Sequence, residues 1–184
     1  MMTAEELLVY ELPDKRTELV RGRLLVREPP GYRHGDVVVR LVLAIDRHLR
    51  AEQHALGAPE LRGRLVAGDV GFTLQRNPDT VRAPDVSYIR LERCPPPDFA
   101  GYPEFAPDLA IEVRSPTDRT GNVLASVADL LNAGAQLVWV IDPKRRNAHV
   151  YRADGSISIL AANESLLGEA LLPGLTIPLS ALLD

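Results

Sequence analysis

Two periods of apolar and polar positions run along this chain, and the changes between them mark its elements. Val38, Leu41, Val42, Ile45 and Leu49 recur at helical spacing with Arg40, Arg47 and Arg50 on other faces, which predicts a long amphipathic helix. Val123, Leu124, Val127, Leu130 and Leu131 form a second stripe, predicting a helix over about 119–133 that Gly134 stops. In L-A-I-E-V the period is two, so Leu109, Ile111 and Val113 share one face of a strand. Ala110, Glu112 and Arg114 share the other, and the charges are then expected opposite the core. Residues 137–141, L-V-W-V-I, are apolar on both faces and valine-rich, as a central strand is.

Shorter signals fill the gaps. Glu6 stands three residues after Thr3, the spacing of a capping box, and predicts a short helix over 3–9. Residues 18–26 predict a hairpin turning at Arg21-Gly22, where glycine supplies the positive φ of a tight turn. Strands are predicted at 64–66, 71–75 and 85–90, with a turn at Asn77-Pro78-Asp79. A second hairpin spans 149–151 and 157–160 across Asp154-Gly155, and a terminal helix starts near Leu179. Residues 92–107 hold five prolines and predict a long loop, either a lid or a rigid connector. The order strand, strand, helix, strand over 70–142 predicts an α/β chain of the α+β kind, a mixed sheet flanked by helices with extra β-hairpins.

Composition narrows the setting. With 184 residues and 46% apolar content, a single domain over 1–184 is expected. The one cysteine, Cys94, excludes an intramolecular disulfide, and the four histidines complete no zinc set with it. A reducing cytoplasm is the expected location. The N-terminus carries early acids instead of a basic leader, and 137–141 is far too short to span a bilayer, so export and a membrane partner are not expected. A net charge of -4 argues against a basic coat for nucleic acid, although a local patch can still bind phosphate. Lys15 and Lys144 are the only lysines, so lysine chemistry has two places to reside.

Asp85 in A-P-D-V-S-Y and Glu112 in D-L-A-I-E-V-R-S each interrupt an apolar strand-like run. Two carboxylates on neighbouring strands repel, and one is driven towards protonation unless a cation lies between them. Mg²⁺ suits such hard oxygen ligands. The alternative is that Asp85 caps a strand after Pro84 and Glu112 pairs with a surface arginine.

The ordered set Y-E-L, E-L-V-R-G-R-L, R-H-G-D, A-P-D-V, A-P-D-L-A-I-E-V-R-S-P-T-D and L-V-W-V-I-D-P-K-R-R resembles the Uma-type family of bacterial restriction-endonuclease-like proteins, a branch of the PD-(D/E)XK nuclease superfamily. The resemblance covers about 3–183. It implies a restriction-endonuclease-like core in which Asp85 and Glu112 bind Mg²⁺ or Mn²⁺, helped by the Val113 carbonyl, and nucleic acid, DNA first, is hydrolysed at its phosphodiester bonds. It further implies that Glu18 is an additional acid near the metal, against a cross-strand ion pair, and that His34 lies at the site's edge, against a polar residue at a helix start. The superfamily's lysine lies two residues after the second acid or on the following helix; here those slots hold Arg114 and Ser126. Arg114 would replace only the electrostatic part of that lysine, because a guanidinium is a poor proton acceptor.

Two functions follow. One is a Mg²⁺-dependent endonuclease; the other is a nuclease-fold module that binds nucleic acid or protein without cutting, with a homodimer as its expected assembly. Phosphate contacts are expected among Arg33, Arg40, Arg62, Arg64, Arg82, Arg114, Arg119, Lys144, Arg145 and Arg146, with His34 beside them.

Overall fold

The computed structural model describes residues 1–184. Helix α1 (Ala4–Leu8) starts at the expected capping box: the Glu6 N–H donates to the Thr3 hydroxyl at 3.2 Å and the Thr3 N–H to the Glu6 carboxylate at 2.8 Å. Strands β1 (Arg16–Val20) and β2 (Arg23–Arg27) form the first hairpin. Its turn has φ of 49° at Arg21 and 73° at Gly22, the left-handed pair that matches strand twist. Helix α2 (Tyr32–Leu56) buries Val37, Leu41, Ile45 and Leu49. The stripe thus runs through Val37, and Val38 and Val42 are only half-buried at its margin.

Next come β3 (Gly63–Ala67), β4 (Phe72–Gln75), β5 (Thr80–Arg82), β6 (Val86–Arg90), β7 (Leu109–Val113), α3 (Thr120–Asn132) and β8 (Leu137–Asp142). The chain closes with β9 (Asn147–Arg152), β10 (Ile157–Ala161), β11 (Ser165–Leu167), β12 (Thr176–Pro178) and α4 (Leu179–Leu183). β5, β11 and β12 had no counterpart in the sequence pattern, since three residues are too few to display a period.

Six strands form the main sheet in the order β10-β9-β8-β7-β6-β3, and four form a second in the order β2-β1-β5-β4. Only β7 and β8 pair in parallel, because α3 carries the chain back between them. Leu109, Ile111, Val113, Leu137, Trp139 and Ile141 pack on one face against α2 and the C-terminal segment. The opposite face is also a core. Ala110, Val138 and Val140 meet Val123, Val127 and Leu130 of α3, so Glu112 stands under a helix, where an exposed surface was expected.

Residues 92–107 are tied down by the Arg93 guanidinium on buried Asp108 at 2.7 Å and the Thr73 N–H on the Pro103 carbonyl at 2.8 Å. None of them lines the cleft described below, so this loop is a connector. At the far edge Gly63 has no room for a side chain, since a Cβ would lie 2.2 Å from the Ile89 carbonyl oxygen and 2.7 Å from the Tyr88 ring. Gly63→Ala is expected to lower stability by about 1–3 kcal/mol through overpacking, read as a fall in urea midpoint. An unchanged midpoint would show that β3 shifts freely against β6. No helix is long and apolar enough to cross a membrane.

Candidate active site

Strand β5 ends in the small sheet at Arg82 and β6 begins in the large one at Val86, so Ala83-Pro84-Asp85 is the joint between sheets. Val86 lies opposite Ile111 in the β6–β7 ladder. Continued by one residue, that register sets Asp85 opposite Glu112 on the α3 side, and directly opposed residues keep their Cβ atoms about 5 Å apart. Asp85 itself stands one residue ahead of the strand. Its side chain takes over the ladder: the Val113 N–H donates to Oδ2 at 2.7 Å.

Asp85 is held on its other oxygen by a histidine and an arginine. His34 Nε2 lies 3.1 Å and Arg16 Nη2 2.9 Å from Oδ1, and Arg16 also bonds Asp69. Burial pushes Asp85 up, but His34, Arg16 and the Val113 N–H together outweigh it and hold this carboxyl below the usual range. Glu112 goes the other way. Desolvation first, then the charges of Asp85 and Glu18, push it up to about 8, against smaller opposing effects from Arg27 and the Ser126 hydroxyl. Glu112 retains some accessible surface, through the cleft mouth, while protein surrounds its carboxyl. The Ser126 hydroxyl donates to Glu112 Oε1 at 2.9 Å, so the α3 position where a lysine was sought does face this acid.

Glu18 is the third carboxylate. The Ala83 N–H donates to Oε1 at 3.1 Å, and Arg27 Nη2 and Arg82 Nη1 each lie 3.0 Å from Oε2. Arg82 is 2% exposed and also bonds Asp129 of α3 at 2.7 Å, fastening the small sheet to the helix that covers Glu112. The ion pair foreseen for Glu18 therefore exists, and it does so at the rim of a cleft. That cleft of about 290 Å³ is lined by Glu18, Asp85 and Glu112 together with Arg16, Arg27 and His34.

Other expected residues are placed differently. Arg114 shares the Glu112 face, but its guanidinium turns to Asp142 at 3.1 Å and the Asp118 carbonyl at 3.2 Å, and it does not line the cleft. Arg119 does line it, and its guanidinium makes no hydrogen bond. Arg82 is no phosphate contact, being buried on Glu18 and Asp129. Arg40, Arg62 and Arg146 pair with Asp36, Glu52 and Asp184. Arg16 and Arg27 were missed. They are directly opposed in the hairpin register, and two like charges side by side repel unless an anion sits against them.

The donors suit a hard divalent cation in kind, all being carboxylate oxygens, and Glu112 has one oxygen without a partner. No group of three or more His, Cys, Asp or Glu side chains is placed to hold a metal ion. Mg²⁺ needs none, since it is commonly bound through one or two carboxylates with water and substrate oxygens completing the octahedron.

The family model Uma2, described as "Putative restriction endonuclease", matches residues 4–180. No curated protein matches the chain. Among solved structures, a crystal structure described as "a putative nuclease belonging to DUF820" from Anabaena variabilis ATCC 29413 aligns with a TM-score of 0.82 at 20% identity, covering 100% of this chain and 98% of that one. At that identity the likeness bears on the fold, and the mixed sheet flanked by helices is the nuclease-like architecture anticipated for this chain.

Proposed function

This chain belongs to the Uma2 family, and from that premise we propose that it is a Mg²⁺- or Mn²⁺-dependent endonuclease hydrolysing nucleic-acid phosphodiester bonds at the Asp85–Glu112 cleft. The observation that carries this is Glu112, whose carboxyl is pushed up to about 8 beside two other acids in one polar cleft. Glu112 alone of the three makes no ion pair, and a bound cation would supply the charge it lacks.

Asp85 and Glu112 would hold the cation. When bound, it supplies a more acidic water and offsets charge developing on the phosphate. The chain's own residues do the rest. The Val113 N–H, His34 and Arg16 orient Asp85, and the Ser126 hydroxyl orients Glu112. Arg27, between Glu18 and Asp118 at the cleft wall, is placed to meet phosphate charge, a part that Arg114 leaves vacant by turning to Asp142. Neither guanidinium accepts a proton at working pH.

Cleavage of plasmid, single-stranded DNA and RNA in Mg²⁺ or Mn²⁺, with EDTA as control, tests the proposal. Wild-type cutting is expected to depend on metal and to disappear in Asp85→Ala. Ser126→Lys is expected to cut faster, because it sets an ammonium beside Glu112 where a hydroxyl now stands. Cutting that persists in Asp85→Ala would overturn the assignment. The second reading, a module that binds without cutting, is favoured by the Ser126 hydroxyl in the lysine position; it predicts no cleavage by the wild type and intact binding of nucleic acid.

A further inference from the structure

A larger cavity of about 720 Å³ adjoins the carboxylate cleft, and His34, Ser115, Asp118 and Arg119 line both. Its walls are the first turns of two helices, at Gly31–Arg33 for α2 and Arg119–Thr120 for α3. Neither helix has a side-chain cap, and neither carries an acid in its first turn. The Tyr32, Arg33 and Thr120 N–H groups make no hydrogen bond, so two positive helix ends with free donors face one groove. Two cations add to them: the Arg119 guanidinium and the Lys144 ammonium are exposed and unpaired, whereas the two acids of the groove are already engaged, Asp142 by Arg114 and Arg145 and Asp118 by Arg27. His34 is only 7% exposed, lines the groove, and has no hydrogen-bond partner on Nδ1. At the rim stands Tyr32, 91% exposed at the start of α2.

Free backbone donors, helix dipoles and unpaired cations select a chain of phosphates. An aromatic ring fully in solvent beside them selects a base whose face is open, and bases inside a duplex have both faces covered by their neighbours. We propose that this groove is the track of an unpaired nucleic-acid strand leading to the carboxylate cleft. Phosphates lie against the α2 and α3 N-termini with Arg119 and Lys144, and one base stacks on Tyr32. The inference rests on the nuclease proposal for its purpose, but the binding it describes needs no cleavage.

The test is equilibrium binding in EDTA of a labelled oligothymidine and of a duplex of matched length, by fluorescence anisotropy across a salt series. The single strand is expected to bind more tightly than the duplex. Arg119→Ala combined with Lys144→Ala is expected to weaken it roughly ten-fold or more and to lower the log–log salt slope by about 1.4, at about 0.7 per lost phosphate contact. Tyr32→Ala is expected to weaken the single strand roughly ten-fold while Tyr32→Phe retains it, since stacking needs the ring and not the hydroxyl. Arg50→Ala, on the α2 surface away from the groove, is expected to change nothing. Equal or tighter binding of the duplex, a neutral Tyr32→Ala, an unchanged salt slope, or full competition by inorganic phosphate at matched phosphate concentration would each overturn the inference. Absent cleavage with this pattern of binding intact would fail the nuclease proposal alone. Cleavage without this pattern would fail the track alone.

Discussion

Glu112→Gln is expected to do two opposite things: to lower metal-dependent cleavage by roughly 10²–10³-fold, the scale on which one preorganised electrostatic group acts, and to stabilise the metal-free protein above neutral pH. The second effect follows from the raised carboxyl. In the folded chain Glu112 titrates at about 8, against an ordinary value of 4.5. Between those values the folded state binds a proton that the unfolded state has released, so stability falls as pH rises from about 4.5 through about 8. Glutamine keeps the shape and an acceptor for the Ser126 hydroxyl, and it carries no charge beside Asp85 and Glu18. The gap in urea midpoint between variant and wild type, measured in EDTA, is therefore expected to widen from pH 5 to pH 9. A cation binds the ionised carboxylate, which prevails at pH 9, so Mg²⁺ should raise the wild-type midpoint there and leave the variant's nearly unmoved. A constant gap, or equal Mg²⁺ stabilisation of both, would remove Glu112 from the proposed site.

The second large effect is structural. Arg82→Met is expected to lower stability by about 3–5 kcal/mol, the usual loss when one partner of a buried ion pair is taken away. Arg82 is nearly inaccessible and donates to Glu18 at 3.0 Å and to Asp129 at 2.9 and 2.7 Å. Without it, buried Glu18 keeps only Arg27 and the Ala83 N–H, while Asp129, partly exposed, turns to water. Glu18→Gln combined with Arg82→Met should recover part of the loss, because it withdraws the charge left uncompensated. Urea denaturation at pH 7 measures both. A loss below about 1 kcal/mol would show that the Glu18–Arg82–Asp129 chain does not fasten the small sheet to α3. Cleavage should also decline, since the β1–β2 hairpin brings Arg16 and Arg27 to the cleft.

Much of the fold was legible because its signals are local. The capping box at Thr3 and Glu6, the Arg21-Gly22 turn, the α2 and α3 stripes and the valine-rich β8 each depend on a few neighbouring residues, and each formed about where expected. The three-residue strands were not legible, since their partners make them strands and their own pattern does not. The Glu112 face was misjudged for a related reason. Period two tells which residues share a face, but only the placement of α3 tells whether that face meets solvent. Arg16 and Arg27 lay closer to reach: a two-residue turn at Arg21-Gly22 sets them opposite each other, and two facing arginines ask for anions.

The sequence by itself determined the longer elements and their order, the family and the pair of interrupting acids, because periodicity, turn chemistry and an ordered set of motifs are written in adjacent residues. Only the tertiary structure decided which basic side chain meets which acid. Arg114, two residues from Glu112, turns to Asp142, whereas Arg16 and His34, distant in sequence, converge on Asp85, and Arg27 closes on Glu18. The physical reason is that Coulomb attraction and hydrogen bonding fall off with distance in space, and the sheets and helices set those distances after the chain has folded.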